Sequence, residues 1–270
     1  MSVIENALSM VKNRGQRVPD DKATRRPAAN LTAAVDIPPL RQFPTVTLDA
    51  VTLERNRVLP QVADHAALRA YKILRTRLLQ RLAANQWRSV AVTSTEAAQG
   101  KTLTAINLAV ALAQDPNTHV CLVDLDLQHP QVAAQMGIHC ERGLGDYLLG
   151  EAEAPQVIYN CGIPRLLVIP NTRMFEHSSE MLAGARALEL LRVINAEMPR
   201  HIVIFDMPPL LMSDDVLTFA PHVDGVLLVV AEGHTQRASV EKSKELLAEM
   251  NVVGVVLNRS SERDSSPSYY

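Results

Sequence analysis

Residues 94–102 read Ser94-Thr95-Glu96-Ala97-Ala98-Gln99-Gly100-Lys101-Thr102. They stand between a short apolar run, Ser89–Ser94 (SVAVTS), and a helical pattern over Lys101–Gln114 carried by Ile106, Leu108, Ala109 and Leu112. A strand, a loop and then G-K-T opening a helix is the setting of a phosphate-binding loop. Backbone N–H groups at a helix start point at phosphate oxygens, aided by the helix dipole. Lys101 is expected to reach the β- and γ-phosphates and Thr102 to place a hydroxyl on Mg²⁺, while Gly100 lets the phosphate approach the backbone. The full G-x-x-x-x-G-K-[ST] is absent, because Thr95 holds the first glycine position.

Outward from this loop, apolar runs predict further strands at Val120–Asp126 (VCLVDLD), Leu166–Ile169, Ile202–Asp206 (IVIFD), Val226–Ala231 (VLLVVA) and Val252–Leu257 (VVGVVL). Helices are expected at Ser179–Met198 and Ser239–Met250. Short apolar runs alternating with helices predict an α/β fold, a mainly parallel, doubly wound sheet covered on both faces. No internal repeat is visible. Ligands of open α/β sheets bind beyond the carboxyl ends of the strands. Asp124 and Asp126, read as the end of the second strand, and Asp206, at the end of IVIFD, should therefore meet the loop on one rim. A metal nucleotide needs such carboxylates to hold Mg²⁺ and to position or deprotonate a nucleophile.

The chain has 270 residues, 47% hydrophobic and 21% charged, an ordinary globular mix. Its 27 Lys+Arg against 29 Asp+Glu leave a net charge of -2, which gives no global attraction to nucleic acid or anionic lipid. Aromatics at 4% argue against a base-stacking surface. Cys121, Cys140 and Cys161 are too few and scattered for a disulfide framework or zinc site, so reduced thiols are expected, with Cys121 in the core. No apolar stretch approaches the ~18 residues of a membrane span, and no signal-peptide core opens the chain. A cytoplasmic protein with peripheral membrane contact at most is expected.

The chain divides near residue 60. Residues 1–60 hold six of the 16 prolines, and 18–60 read as a mostly disordered tether. Within the first residues, Ser2 and Glu5 form an S-x-x-E box, and Ile4, Ala7, Leu8 and Val11 make one face of a short helix, either a frayed turn or a docking element. A long helix is expected over about 62–84 from Leu68, Tyr71, Leu74, Leu78 and Leu82. Arg69, Lys72, Arg75, Arg77 and Arg81 crowd it as a solvated face or a subunit interface. A phosphate-loop domain then spans 61–260, followed by a flexible tail, 261–270, ending Ser268-Tyr269-Tyr270.

These motifs in this order resemble the bacterial tyrosine kinases of capsule and exopolysaccharide loci, P-loop ATPases unrelated in fold to eukaryotic kinases. Their pattern has a Walker A loop ending P-G-x-G-K-[ST], an A′ strand ending D-x-D-x-R and a B strand ending D-x-P-P. Here these read Ala97-Ala98-Gln99-Gly100-Lys101-Thr102, Asp124-Leu125-Asp126-Leu127-Gln128 and Asp206-Met207-Pro208-Pro209. GLGDYLLG (143–150), Ser179-Glu180-Met181-Leu182, VVGVVLNR (252–259) and the terminal tyrosines extend the likeness over roughly 62–270. The resemblance implies an ATP- and Mg²⁺-dependent tyrosine autokinase. Gly100, Lys101, Thr102, Thr104, Asp206 and Asn258 would bind the nucleotide, and Thr102, Asp124 and Asp206 the metal. Lys101, Asp124 and Asp126 would be catalytic, with Asp126 the base, and Tyr269 and Tyr270 the acceptors. It also implies a membrane chain-length regulator on a separate chain as partner, tail phosphorylation in trans, and a place at the inner face of the membrane through that partner.

Three positions depart from the pattern. Pro-Gly has become Ala97-Ala98, so Ala98 is strained if that position needs positive φ. The A′ arginine has become Gln128. The subunit-contact motif E-x-x-R-x-x-R begins at Arg69, which reverses a charge and puts ring assembly in doubt. Two alternatives stand beside the kinase: a non-catalytic ATP-binding homologue regulating polysaccharide export, and an ATPase switch of the MinD/ParA type. The second has Glu96 where its signature lysine belongs.

Overall fold

The strands order themselves β3-β4-β2-β5-β1-β6-β7 in one seven-stranded sheet. The computed structural model describes residues 43–61 and 65–260. The strands are β1 Ser89–Ser94, β2 His119–Asp124, β3 Tyr159–Asn160, β4 Leu166–Ile169, β5 His201–Asp206, β6 Gly225–Ala231 and β7 Val252–Asn258. Every pairing is parallel except β3 with β4. The apolar runs of β1, β2, β4, β5 and β6 are almost wholly buried, as strands covered on both faces must be.

The α-helices, in chain order, are α1 Ala50–Arg55, α2 His65–Asn85, α3 Lys101–Ala113, α4 Val132–Met136, α5 Leu144–Leu148, α6 Ala154–Val157, α7 Ser178–Ala183, α8 Ala185–Glu197, α9 Asp215–Phe219 and α10 Arg237–Leu246. The central one is α3. Eleven of its thirteen residues are buried, so it is apolar all round, packed between the sheet and α2. Alanines at 105, 109, 111 and 113 let it lie close to its neighbours. The face of α2 toward it carries Leu68, Tyr71, Leu74, Leu78 and Leu82, the period read from the sequence; its Arg75 donates to the Ala111 carbonyl at 3.2 Å.

Three expectations are corrected. The tether does not extend to residue 60, because the compact unit begins at Phe43. Pro44 and Val46 bond to the backbone of Asn160 and so extend the sheet beyond β3. Asp49 caps α1 by accepting from the N–H groups of Val51 and Thr52, and Leu53, Val58 and Leu59 are buried. Prolines 44 and 60, read as breakers, flank a packed segment. The proposed N-terminal helix and the rest of the tether lie outside the described residues. Second, Ser179–Met198 is two helices, since Gly184 takes an extended conformation between α7 and α8. Third, β2 ends at Asp124, so Asp126 sits in the loop that follows.

Asn107 of α3 locks the 57–59 segment down. Its Oδ1 accepts from the Leu59 N–H at 2.8 Å, and its Nδ2 donates to the Arg57 carbonyl at 3.0 Å. Asn107→Ala leaves both backbone groups without these partners and is expected to lower unfolding free energy by about 2–3 kcal/mol in urea denaturation. A loss below about 0.5 kcal/mol would mean the segment holds without Asn107.

Candidate functional site

Strand register decides which carboxylates meet. Asp124 pairs with Asp206 across β2 and β5, and Asp206 pairs with Val92 across β5 and β1. Both aspartates are fully buried at the carboxyl ends of their strands. The next link is α3, whose first residue is Lys101. Its Nζ stands 2.7 Å from Asp126 Oδ2 and 3.6 Å from Asp206 Oδ1, and donates to Thr102 Oγ1 at 3.0 Å. Burial opposes the charge on Lys101, but Asp206, Asp126 and Asp124 outweigh it and hold its pKa above the ordinary lysine value.

The carboxylates are short of partners. Asp124 Oδ2 accepts from Gln131 and Val132 at the start of α4, but its Oδ1 is buried with no hydrogen bond. Neither oxygen of Asp206 has one, the ammonium at 3.6 Å being an ion-pair neighbour only. Burial, then the charge of Asp206, drives Asp124 well above the usual carboxylate range. Burial pushes Asp206 up to about 6 against the pull of Lys101. Asp126 Oδ1 accepts from His129 N–H at 3.0 Å.

The loop is closed by side chains from its own residues and from the end of β7. Gln99 Oε1 accepts from the backbone N–H and hydroxyl of Thr95 at 3.1 and 2.8 Å. Asn258 of β7 donates to the Gln99 carbonyl at 2.9 Å, and Arg259 to the Ala98 carbonyl at 2.7 Å. Gly100 caps α3 at φ 88 with no side-chain cap, which leaves the helix N-terminus open for an anion. A Cβ on Gly100 would collide with the Asn258 amide. Gly100 is therefore required by its backbone angle and by Asn258, over and above any approach of phosphate. The Thr104 hydroxyl donates to the Gly100 carbonyl at 2.8 Å and braces the same turn. Ala98 does adopt left-handed φ, 59°, where glycine would be unstrained. Glu96 Oε1 accepts from Ser239 of α10 at 2.6 Å, which directs that carboxylate onto its own subunit.

A cleft of about 540 Å³ opens beside Lys101, lined also by Ala98, Asp126, Gln128, Pro209 and Ser213. The structure thus brings Gly100, Lys101, Thr102, Asp124, Asp126 and Asp206 together. It puts the Thr104 hydroxyl on the Gly100 carbonyl and the Asn258 amide on the Gln99 carbonyl, and neither residue lines the cleft. Gln99 and Ser213 were missed in the sequence, since neither carries a charge or a spacing signal. Tyr269 and Tyr270 lie outside the described residues. Among the described residues no set of three or more His, Cys, Asp or Glu forms a metal cage. Mg²⁺ asks for less, one or two carboxylates with phosphate and water completing its shell, and the buried oxygens of Asp124 and Asp206 beside Thr102 fit that demand.

A parallel sheet with this loop at its carboxyl rim defines a P-loop nucleotide-binding protein. Residues 90–270 match the family model CbiA, the CobQ/CobB/MinD/ParA nucleotide binding domain. The tyrosine-protein kinase YwqD of Bacillus subtilis is 30% identical over 203 residues, 74% of this chain and 84% of YwqD. The succinoglycan biosynthesis transport protein ExoP of Rhizobium meliloti is 30% identical over 186 residues, 67% of this chain but 23% of that longer protein. The kinase domain of the Escherichia coli tyrosine kinase ETK superposes with a TM-score of 0.66 at 28% identity, over 74% of this chain and 78% of that one. The chain belongs to the CobQ/CobB/MinD/ParA nucleotide-binding family and, within it, to the bacterial tyrosine kinases.

Two measurements probe the site's energetics. Ala98→Gly relieves the left-handed strain but loosens the unfolded chain, and a net stabilisation of about 0.5 kcal/mol is expected in urea; destabilisation would show that Ala98 stores no strain. Asp206 binds its proton more tightly folded than unfolded, so its contribution to stability falls as pH rises from about 4 to 6. Asp206→Asn removes that loss. Its effect on unfolding free energy should be more favourable at pH 7 than at pH 4, by on the order of 1–3 kcal/mol. A pH-independent difference would overturn the assignment.

Proposed function

We propose that the chain is an ATP- and Mg²⁺-dependent protein-tyrosine autokinase that regulates exopolysaccharide or capsule export. The observation that carries this reading is Lys101 paired with Asp126 at the uncapped start of α3. A nucleotide's terminal phosphates offer Lys101 a stronger partner than one carboxylate. When Lys101 turns to them, Asp126 loses its ion pair and becomes a free acceptor on the cleft wall. That is the position of a base for a phenol whose ordinary pKa is ~10. Thr102, Asp124 and Asp206 would hold Mg²⁺ directly or through water, and the ion would neutralise charge developing on the transferred phosphoryl group. Gly100 and the α3 N–H groups cradle the phosphates, with Thr104 and Asn258 keeping the loop in shape.

The acceptors in this reading are Tyr269 and Tyr270, as the resemblance implies, and the placement of the other tyrosines supports it. Of five tyrosines, Tyr147 and Tyr159 are buried, and Tyr71 is half-buried against α3. Burial raises all three phenols above the ordinary tyrosine value. Tyr269 and Tyr270 remain, on a tail whose polar sequence holds no core residue. Reaction in trans on a neighbour's tail suits that arrangement. ExoP, a transport protein containing a region like this chain, supports a membrane-embedded chain-length regulator as partner. Among the described residues no helix is long and apolar enough to cross a membrane; the reading places the chain at the inner face of the membrane through that partner. A non-catalytic ATP-binding homologue is the second reading, favoured by Gln128 standing where the kinase pattern has arginine. The Glu96–Ser239 bond speaks against a MinD-type switch, which needs a lysine there for the partner's phosphates.

The test is incubation with Mg·ATP, with and without a cytoplasmic segment of the partner. Lys101→Ala is expected to weaken calorimetric ATP affinity roughly 10- to 150-fold. Asp126→Asn should keep ATP binding and lose about 10²–10⁴ in phosphotyrosine formation. Mass spectrometry should find phosphate on Tyr269 and Tyr270. ATP binding without phosphotyrosine under both conditions would select the non-catalytic reading.

A further inference from the structure

Helix α2 concentrates charge that the nucleotide reading leaves unused. Its 21 residues include Arg69, Lys72, Arg75, Arg77 and Arg81 and no Asp or Glu. The other long surface helices mix their signs: α8 pairs Arg192 with Glu189, and α10 pairs Arg237 with Glu241. The chain as a whole stands at -2, so α2 runs against the sign of the molecule. Like charges three or four apart on a helix are destabilising, and Arg69 with Lys72 and Arg77 with Arg81 are such pairs. The other side of the helix holds it in place. Leu78 and Leu82 are buried there, and the half-buried Arg75 turns inward to the Ala111 carbonyl.

That packing fixes the rotation of α2, and with it what the outer side presents. Arg69, Ile73, Arg77 and Gln80 follow one another at helical spacing and are exposed, with Lys72 exposed beside them. Arg69 to Arg77 spans about 12 Å along the axis. Ile73, 46% exposed, stands between the two arginines. Ala70 and Ala84 are exposed as well. Long cationic stems lie along such apolar surface while their heads stay in the polar layer. The outer face is thus a ring of cations around a small apolar centre.

We infer that the outer face of α2 binds the anionic headgroups of a lipid bilayer. Charge complementarity selects an anionic surface, and each Lys or Arg within a Debye length of one, about 8 Å, adds to binding. A second copy offering the same face in a two-fold contact would set like charges against each other. A nucleic-acid backbone would engage the cations and leave Ile73 unused, whereas the boundary between headgroups and acyl chains takes both. The inference deepens the proposed place at the inner face of the membrane, adding a direct lipid contact to the one through a partner. Such a contact is weak alone and gains from the partner by raised effective concentration.

The experiment is vesicle flotation with the purified full chain, without nucleotide or partner. Vesicles of phosphatidylcholine mixed with phosphatidylglycerol should carry the chain upward. Phosphatidylcholine alone should not, nor should mixed vesicles in ~1 M salt, where the Debye length falls to about 3 Å. Lys72→Gln combined with Arg77→Gln should weaken partition roughly 25-fold, about fivefold for each cation. Lys242→Gln combined with Lys244→Gln removes as much charge from the mixed-sign helix α10 and should leave partition within about twofold. Equal losses in the two double variants, equal flotation with phosphatidylcholine alone, or no flotation of the wild type overturns the inference. Displacement from the mixed vesicles by a DNA duplex also overturns it, and assigns the face to nucleic acid. If flotation fails while Mg·ATP still yields phosphotyrosine, the kinase reading survives without it. If flotation succeeds and no phosphotyrosine forms, the lipid contact stands and the non-catalytic reading is selected.

Discussion

One ammonium faces three carboxylates at the end of a buried sheet, and the site is organised around that imbalance. Parallel register places Asp124 and Asp206 side by side, away from water, and Lys101 cannot neutralise both while it also pairs with Asp126. Burying a charge without a full set of partners is costly. Burial therefore pushes the carboxyl groups of Asp124 and Asp206 toward protonation. A metal nucleotide brings both the positive charge and the phosphate oxygens that such a site lacks. Stability given up where buried charges lack partners is the ordinary counterpart of a site prepared for a charged ligand.

The rest of the fold serves to keep that arrangement rigid. A helix as apolar as α3 has no freedom to shift, because sheet and α2 enclose it. The loop is held from three sides: Gln99 from within, Asn258 and Arg259 from the end of β7, Ser239 from α10. The Asp206 strand continues into a segment fastened to β1, where Leu210 and Leu211 donate to Ser94 and Thr95 and Thr93 donates to Pro208. These ties explain how Ala98 can remain in a left-handed conformation. Surrounding bonds over-determine a backbone angle that alanine alone would avoid.

Departures from the kinase pattern therefore differ in weight. At the loop, Ala98 adopts a left-handed angle that glycine takes without strain. At Gln128 the charge is gone, but the amide is bound into a network that reaches buried Asp215. Arg69 is exposed on α2 and does not line the cleft.

Much of this was legible in the sequence, because strands buried on both faces announce themselves as apolar runs and a P-loop announces itself by local chemistry. β1 and β4 have the limits their apolar runs predict, Lys101 and Thr102 follow from the G-K-T that opens α3, and Asp124 and Asp206 follow from strand ends, with Asp126 just beyond one. What sequence alone could not decide depends on contacts between distant residues. Residues 43–60 look like a tether by composition, yet they fold because Asn107 and the edge strand β3 supply bonds from elsewhere. Gly184 breaks a helix whose apolar period continues across it. Ser213 sits 85 positions from Gln128, its hydrogen-bond partner on the cleft wall, with no local signal, and the bond by which Asn258 holds the Gln99 carbonyl spans 159 positions. Local patterns determine which elements form and where charge is placed along them; only the register of β2, β5 and β1 decides which charges share one pocket, since that depends on strands far apart in sequence lying side by side.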